Sequence, residues 1–441
     1  MHYTTKPQST LRRTLSRVLL SLSVVTLSLG YPLLASADSK HQGHHGYKPG
    51  HQPSWVASWA TASKTITPFD APLPTLNDVT LRQIVRVSLG GRGVRVWLTN
   101  EFGVAPLEVQ AATVALQEHR DAIDPKTKRT LRFGGKTSVT IAPGAKVLSD
   151  PVRLRVPDLA DVAISLYLPQ DLTTTADTTS YHVRALQTSY IAQGDQTAEY
   201  DLSGEATTVS WFFLAGLDVV THGRPIVVAG YGDSITDGDQ LAAMEPVDEN
   251  ARYTNFLAKK LLRQGRAAVI NLGISGNQVT NTFLGENMQA RLDRDIFAQT
   301  GVTHLVVLGG INDMGLPVLL GAPAGTPAAT IIAGHQQIAA RARAQGLIVL
   351  GGTITPSGSV PLPGYNSAET QAIRAEVNHW IRTTRAYDHV VDFDKVLRDP
   401  KDPGVMRADL TADGLHPNTQ GYRAMAKAVA KVLRRGHNKR W

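Results

Sequence analysis

The pattern of apolar and polar residues divides the chain into two parts with different periods. In residues 54–222, apolar residues alternate with polar ones over short runs such as 94–98, 152–156 and 162–168. Such alternation is typical of strands that bury one face. Turn-forming pairs, for example Gly90-Gly91, separate the runs. This part is therefore predicted to form an antiparallel β-sandwich domain that is jelly-roll-like.

In residues 223–436, short continuous apolar runs alternate with longer segments of helical period. The apolar runs predict strands buried on both faces, at 226–229, 268–272, 304–308, 347–351 and 390–393. The helical segments lie near 253–263, 327–344 and 369–384. This alternation predicts an α/β domain with a flavodoxin-like parallel sheet of about five strands and helices on both faces. Ligands bind beyond the carboxyl ends of the strands in such domains, so the residues after each run are the candidates for chemistry.

The N-terminus has the features of an export signal. Residues 1–37 contain four basic residues and no acidic one, then an apolar stretch from Val18 to Leu34, then Ala35-Ser36-Ala37. This order predicts a cleaved signal peptide. A membrane anchor is the alternative, but serine, glycine and proline interrupt the stretch, which is short for a membrane span. The pair Arg12-Arg13 leaves both the general and the twin-arginine export routes open.

Composition removes several classes of function. The 441-residue chain has no cysteine, which excludes disulfide bonds, thiol chemistry and thiolate-bound metals. Without the predicted signal peptide, 41 basic residues face 37 acidic ones, and the excess lies in the last helix and a basic tail at 437–441. No aromatic residues are interleaved with these basic ones, so we expect no nucleic-acid partner. Residues 38–53 are rich in glycine and histidine and are predicted to be a linker, with metal binding left open.

Residues with catalytic potential follow the predicted strands. Ser234 comes just after the first strand of the second part, in the position of a nucleophile, although Gly-Asp-Ser alone is equally a turn or a helix cap. Gly276, after the second strand, would let a backbone N–H approach an oxyanion, and Asn312, after the third, carries an amide donor. Asp413 precedes His416 by three residues, where a carboxylate can hold the imidazole in one tautomer.

Together these motifs resemble the SGNH hydrolases, also called GDSL esterases and lipases. The resemblance covers about residues 225–432 and places four blocks in the family's order, around Ser234, Gly276, Gly310 to Asp313 and Asp413 to His416. The first block reads Gly-Asp-Ser-Ile where the family has leucine in the fourth place, a conservative apolar change. The chain as a whole is similar to secreted bacterial members that carry a β-rich domain before the hydrolase domain.

The resemblance implies a role for each of these residues. Ser234 would be the nucleophile, His416 the general base and then acid, and Asp413 the residue that orients His416. The oxyanion hole would consist of the backbone N–H groups of Ser234 and Gly276 and the side chain of Asn312. The same blocks contain two neighbouring carboxylates, those of Asp233 and Asp313.

The expected function is that of an exported serine esterase, secreted or periplasmic, without a cofactor or a stable membrane anchor. Its substrate would be a small-molecule or polysaccharide ester. The catalytic blocks lack a long apolar lid and aromatic residues are only 6% of the chain, so we expect a short acyl group, most simply acetyl on a carbohydrate. The alternative ester substrate is a longer acyl chain, as in a lipase or lysophospholipase.

Two other classes of function are left open. One is a metal-dependent phosphatase or nuclease, with a cation held by Asp233, Asp237, Asp239, Asp313 and His416. The other is a carbohydrate-binding protein that has lost its activity. The β-rich domain could cover the active site, bind polysaccharide or serve folding alone, and exposed aromatic residues would favour polysaccharide binding.

Overall fold

A computed structural model describes residues 53–67, 69–70, 73–172, 179–238, 247–265 and 267–437. The predicted signal peptide, the linker before residue 53 and the tail after residue 437 lie outside these ranges, as does Asp239. Within them, no helix has both the length and the apolar character needed to cross a membrane.

The part of the chain before residue 223 is built from strands. Those described are β1 (Pro53–Ala60), β2 (Asn77–Arg86), β3 (Val94–Thr99), β4 (Leu107–Val109), β5 (Ala111–His119), β6 (Ala122–Ile123), β7 (Arg129–Thr130), β8 (Val139–Ile141), β9 (Lys146–Leu148), β10 (Asp161–Asp171), β11 (Tyr181–His182), β12 (Ser189–Gln193), β13 (Ala206–Thr208), β14 (Trp211–Phe212) and β15 (Leu214–His222). One sheet has the order β1-β15-β3-β9 and a second the order β13-β12-β2-β10-β5-β6, with β7 beside β5. The strands pair antiparallel, which confirms the predicted class of this region.

Two details of this region differ from the sequence prediction. The alternating run 152–156 is not a strand, because only isolated bridges connect Val152 to Val94 and Val156 to Gly91. Strand β10 buries both faces rather than one, because a second small apolar cluster covers the outer face of its sheet. That cluster consists of Ile84, Ala115, Ile123, Ala163, Tyr190, Ala192 and Leu202.

The second part of the chain alternates strands and helices. Its regular elements are β16 (Ile226–Gly232), α1 (Ser234–Asp237), α2 (Tyr253–Leu262), β17 (Ala267–Gly273), β18 (His304–Leu308), α3 (Ile311–Leu319), α4 (Ala328–Ala344), β19 (Ile348–Gly352), α5 (Ala368–Thr383), β20 (His389–Val391), α6 (Phe393–Leu397) and α7 (Thr419–His437). A π-helical turn at Asp293–Phe297 and a 3-10 turn at Ala408–Leu410 complete them.

The strands of the second part form one parallel sheet in the order β17-β16-β18-β19-β20. This is the predicted five-stranded, flavodoxin-like arrangement, and each predicted strand and helix is present. The strand predicted at 390–393 ends early, because Asp392 accepts a hydrogen bond from Lys395 N (3.0 Å) and starts α6. The chain order reverses beside β16, so the carboxyl end of β16 lies where such sheets bind ligands.

The two parts of the chain pack into one compact unit. The backbone N–H of Ala57 in β1 donates to the carbonyl of Thr300 (2.9 Å), and the hydroxyl of Ser88 accepts from Val269 N (2.9 Å). Buried apolar residues of both parts also belong to one continuous core. The β-rich region therefore buttresses the parallel sheet, and the predicted domain boundary at 222/223 stays a prediction.

Candidate active site

Ser234 lies at the carboxyl end of β16, where the strand turns sharply into α1. The turn requires Gly232, because a Cβ atom there would lie 2.2 Å from the carbonyl oxygen of Leu308. Asp233 caps the helix by accepting a hydrogen bond from Ile235 N (3.0 Å). Ser234 is therefore the first residue of α1, with 6% of its surface exposed at the topological switch point of the sheet.

The structure brings together three residues that are far apart in sequence. The Oγ atom of Ser234 lies 2.9 Å from Nε2 of His416, across a sequence separation of 182 residues. On the other side of the ring, Nδ1 of His416 lies 2.7 Å from Oδ2 of Asp413. The second carboxylate oxygen, Oδ1, accepts from the backbone N–H groups of Leu415 (2.9 Å) and His416 (2.7 Å). The result is a hydroxyl, an imidazole and a carboxylate in a hydrogen-bonded line.

The carboxylate of Asp413 is suited to hold a protonated imidazole. Burial acts to raise the pKa of Asp413, but the hydrogen bonds and the charge of His416 outweigh it and lower this pKa to about 2. The group therefore stays ionised across the neutral range. An ionised carboxylate on Nδ1 keeps the Nε2 lone pair directed at Ser234 and stabilises the imidazolium formed when Nε2 takes a proton.

The predicted oxyanion-hole residues lie on the loops that follow β17 and β18. Gly276 has φ of 74°, a left-handed conformation that favours glycine, and Leu284 leaves no room for a side chain there. Asn312 lies in the first turn of α3, and its Nδ2 donates to the carbonyl of Asn277 (3.0 Å). One bond thus joins the loop of Gly276 to the helix that carries Asn312.

Tyr365 is a residue of the site that the sequence analysis did not find. Its hydroxyl donates to Oδ1 of Asn312 (2.8 Å), and its ring packs against Gly315 in α3. Because Oδ1 is held by this donor, the amide of Asn312 has a defined orientation. Burial raises the pKa of Tyr365, so the hydroxyl remains a donor at neutral pH. Tyr365 lies in an irregular loop before α5, where no local pattern marks it.

The two neighbouring carboxylates have different surroundings. Asp313 accepts from Val279 N (2.8 Å), Thr280 N (2.9 Å) and the Thr280 hydroxyl (2.6 Å), so it fastens the loop after Gly276 to α3. Asp233 is buried, and among the described residues its Oδ2 has no hydrogen-bond partner. Burial raises the pKa of Asp233 to about 7.

Arg291 is a second residue that the sequence analysis missed. Its guanidinium is fully buried and donates to the carbonyls of Gly232 (2.9 Å) and Leu272 (2.9 Å), at the ends of β16 and β17. It also donates to Oδ1 of Asn277 (3.0 Å) and pairs with Asp295 (2.8 Å). One side chain therefore joins the strand that leads to Ser234 to the loop that carries Gly276.

The described residues among those considered for a cation site are not gathered into one. Asp237 hydrogen bonds through Oδ1 to Nε2 of His182 from the β-rich region (3.0 Å). In the part of the chain that the structure describes, no group of three or more histidine or acidic side chains has the arrangement of a metal site. The loop at 353–357, after β19, is buried, and its Ile354 packs against Gly310.

Comparison with known families agrees with this geometry. Residues 231–424 match the GDSL-like lipase/acylhydrolase family. This part of the chain belongs to the SGNH hydrolase superfamily. The SGNH domain is accordingly a carboxylic ester hydrolase, and the matched segment includes Ser234, Gly276, Asn312, Asp413 and His416.

Solved structures similar to the chain each cover about half of it. An aryl esterase of M. smegmatis is 18% identical, with 48% of this chain and 99% of that chain covered and a TM-score of 0.38. A carbohydrate acetylesterase from Sinorhizobium meliloti is 14% identical over 47% and 97% of the two chains, with a TM-score of 0.36. An acetyl xylan esterase is 20% identical over 47% and 98%, with a TM-score of 0.35. No curated protein matches the chain.

Proposed function

We propose that the protein is a secreted serine esterase that removes short acyl groups, in particular acetyl, from carbohydrate esters through an acyl-enzyme. The observation that carries this proposal is the hydrogen-bonded line from Ser234 Oγ through His416 to Asp413, with spacings of 2.9 and 2.7 Å. A serine hydroxyl is a weak nucleophile until a neighbouring base accepts its proton, and this line supplies that base.

In the first half of the reaction, Ser234 Oγ attacks the ester carbonyl while Nε2 of His416 takes the hydroxyl proton. The carbonyl oxygen becomes negatively charged and accepts hydrogen bonds from the backbone N–H groups of Ser234 and Gly276 and the amide of Asn312. Collapse of this intermediate breaks the bond to the alcohol. The alcohol leaves with the proton from His416, and an acyl group remains on Ser234.

In the second half, water takes the place of the alcohol. His416 removes a proton from the water as the oxygen attacks the acyl-enzyme, and the same oxyanion donors stabilise the second intermediate. The carboxylic acid then departs, and the proton held by His416 returns to Ser234. Asp413 stays ionised throughout, in keeping with its pKa of about 2.

The proposed substrate class rests on the sequence. The catalytic blocks are not followed by a long apolar lid, and the chain has few aromatic residues. An acyl chain of many carbons needs a large apolar surface to leave water, at about 0.8 kcal/mol for each buried CH₂ group. A short acyl group needs only a small apolar surface. The proposed signal peptide would take the enzyme to extracellular polysaccharides, and an exported protein whose N-terminus is Asp38 is the expected product.

The deciding experiment is hydrolysis of nitrophenyl acetate, butyrate, octanoate and palmitate by the protein that begins at Asp38, with and without EDTA. We expect activity that resists EDTA and falls with chain length. Ser234→Ala should lower kcat by at least about a thousandfold. Ser189→Ala, at a buried serine of the β-rich region whose hydroxyl has no hydrogen-bond partner among the described residues, is the matched control and should keep the activity.

A different experimental result would contradict each part of the proposal. An optimum at octanoate or palmitate would identify a lipase or lysophospholipase instead of an acetylesterase. Loss of activity with EDTA, or full activity in a folded Ser234→Ala variant, would overturn the catalytic assignment. No activity on any ester would favour the carbohydrate-binding alternative.

A further inference from the structure

Two exposed phenylalanines from different parts of the chain contact each other. Phe69 lies in a turn of the β-rich region and Phe283 in the loop after β17, with ring centroids 5.3 Å apart and planes at 59°. Phe69 is 64% exposed and Phe283 is 36% exposed even with this contact. Exposed aromatic surface is unfavourable in water, and contiguous exposed apolar surface is a feature of ligand-binding sites.

The loop of Phe283 is part of the wall of the ester site. The side chain of its neighbour Leu284 packs on Gly276, where a Cβ atom would lie only 2.4 Å from Leu284 Cδ1. The amide of Asn277 donates to the carbonyl of Glu286 (2.7 Å) and holds the end of this loop. Adjacent Cα atoms are about 3.8 Å apart, so Phe283 lies one residue from the wall of the oxyanion hole.

The turn of Phe69 is anchored by a buried ion pair. The ammonium of Lys64 lies 2.9 and 2.8 Å from the two carboxylate oxygens of Asp70, and the two side chains are only 3% and 8% exposed. Asp70 also accepts from Thr67 N (2.6 Å). Burying two charges costs free energy unless they are paired and hydrogen bonded, and here both conditions are met. The ring of Phe69 is thus presented by a turn with fixed ends.

Arg294 joins the two sides of the ring pair. Its guanidinium donates to the carbonyl of Ser63 (3.2 Å), just before Lys64, and forms an ion pair with Glu286, just after the Phe283 loop. The guanidinium also lies 5.1 Å from the ring centroid of Phe102 in the β-rich region. The turn of Phe69 and the loop of Phe283 are therefore joined through Arg294 by a hydrogen bond on one side and an ion pair on the other.

We propose that Phe69 and Phe283 form an aromatic platform that binds a pyranose ring of the alcohol part of the substrate. This inference rests on the proposed carbohydrate esterase function. An acetyl group has only one carbon beyond the attacked carbonyl and is too short to extend past Leu284. The part of the substrate that reaches Phe283 is therefore the alcohol. A pyranose ring has an apolar face of C–H groups that packs on aromatic rings. Phenylalanine provides an aromatic ring that carries no polar group. The β-rich region would then contribute directly to substrate specificity.

The test compares two acetyl esters that differ only in the alcohol, acetylated xylo-oligosaccharide and ethyl acetate. Phe69→Ala and Phe283→Ala should each lower kcat/KM on the oligosaccharide about tenfold through KM, and change ethyl acetate hydrolysis less than about twofold. Phe69→Tyr keeps the aromatic ring, so this variant should have the same KM as the wild type. Tyr200→Ala is the matched control, since Tyr200 is an exposed aromatic residue of the β-rich region (41%) outside the pair.

Binding of the deacetylated oligosaccharide, measured by calorimetry, separates this inference from the proposed function because it needs no catalysis. We expect wild-type binding that Phe69→Ala weakens about tenfold. Oligosaccharide hydrolysis unchanged in both alanine variants, or lowered equally for both esters, would overturn the platform and leave the esterase proposal intact. A wild-type enzyme that hydrolyses octanoyl esters but neither binds nor deacetylates the oligosaccharide would overturn both.

Discussion

At the scale of single residues, the proposed oxyanion hole depends on how the amide of Asn312 is held. Tyr365 donates to its oxygen and thereby fixes which way its N–H groups point. Asn312→Ala removes a donor and should lower kcat by about 10²–10³. Tyr365→Phe removes only the orienting bond, worth about 1 kcal/mol, and should lower kcat about fivefold with KM unchanged.

A double-mutant cycle in steady-state kinetics tests whether Tyr365 acts through Asn312. Tyr365→Phe should have no further effect on kcat once Asn312 is alanine. Tyr387→Phe is the control, because this buried hydroxyl lies 2.6 Å from Nδ1 of His335 and belongs to another network. Additive losses in the double variant would show that Tyr365 acts independently of Asn312.

The buried Asp233, next to the proposed nucleophile, should make the stability of the protein depend on pH. Burial raises its pKa to about 7 from 3.8, so the folded protein holds a proton between about pH 4 and 7 that the unfolded chain releases. The free energy of unfolding should therefore fall as pH rises through this range, by roughly 4 kcal/mol from this group.

Asp233→Asn keeps a helix-capping oxygen but cannot ionise, so its unfolding free energy should change less between pH 5 and 8. Urea unfolding at several pH values measures this change. Asp293→Asn, at an exposed carboxylate, serves as the control. A profile for Asp233→Asn as steep as that of the wild type would contradict the assigned cause.

At the scale of elements, Arg291 holds the carboxyl ends of β16 and β17 together. Its guanidinium is fully buried and bonds to Gly232 O, Leu272 O and Asp295. Arg291→Met should destabilise the protein by about 3 kcal/mol or more, because the carbonyls and a carboxylate lose their donor inside the protein. Chemical denaturation measures this loss.

Arg341→Met is the matched control, since Arg341 is 35% exposed and pairs with Asp293, which is 71% exposed. Such a surface pair contributes about 0–1 kcal/mol. Similar losses in the two variants would mean that burial of Arg291 does not determine its contribution.

At the scale of the whole molecule, the β-rich region and the SGNH domain share one apolar core. Arg252, the residue before α2, donates to the carbonyl of Ala185 and lies 5.9 Å from the ring centroid of Trp211, both in the β-rich region. Two parts that share a core should unfold together. In urea, loss of esterase activity and the change in tryptophan fluorescence should have the same midpoint.

Four of the six tryptophans, Trp55, Trp59, Trp97 and Trp211, belong to the β-rich region, so fluorescence reports mainly on that region, whereas activity reports on the proposed triad. Arg252→Met should lower both midpoints together. Two separate midpoints in the wild type would mean that the regions fold independently and that the boundary at 222/223 divides two autonomous domains.

The sequence alone determined the features that depend on local order. The five buried strands of the parallel sheet and the helices near 253–263, 327–344 and 369–384 were predictable, because burial on both faces and a helical period leave a signature in adjacent residues. The four blocks from Ser234 to His416 were visible for the same reason, and their order indicated the superfamily.

The tertiary structure decided what depends on partners distant in sequence. The run 152–156 alternates like a strand but lacks neighbours to complete a ladder. Tyr365 and Arg291 have no local signature, because their roles come from the amide and carbonyl groups they meet in the fold. The contact of Phe69 with Phe283 exists only because the two parts of the chain pack together, and hydrogen bonds and packing across such separations leave no periodic trace in the sequence.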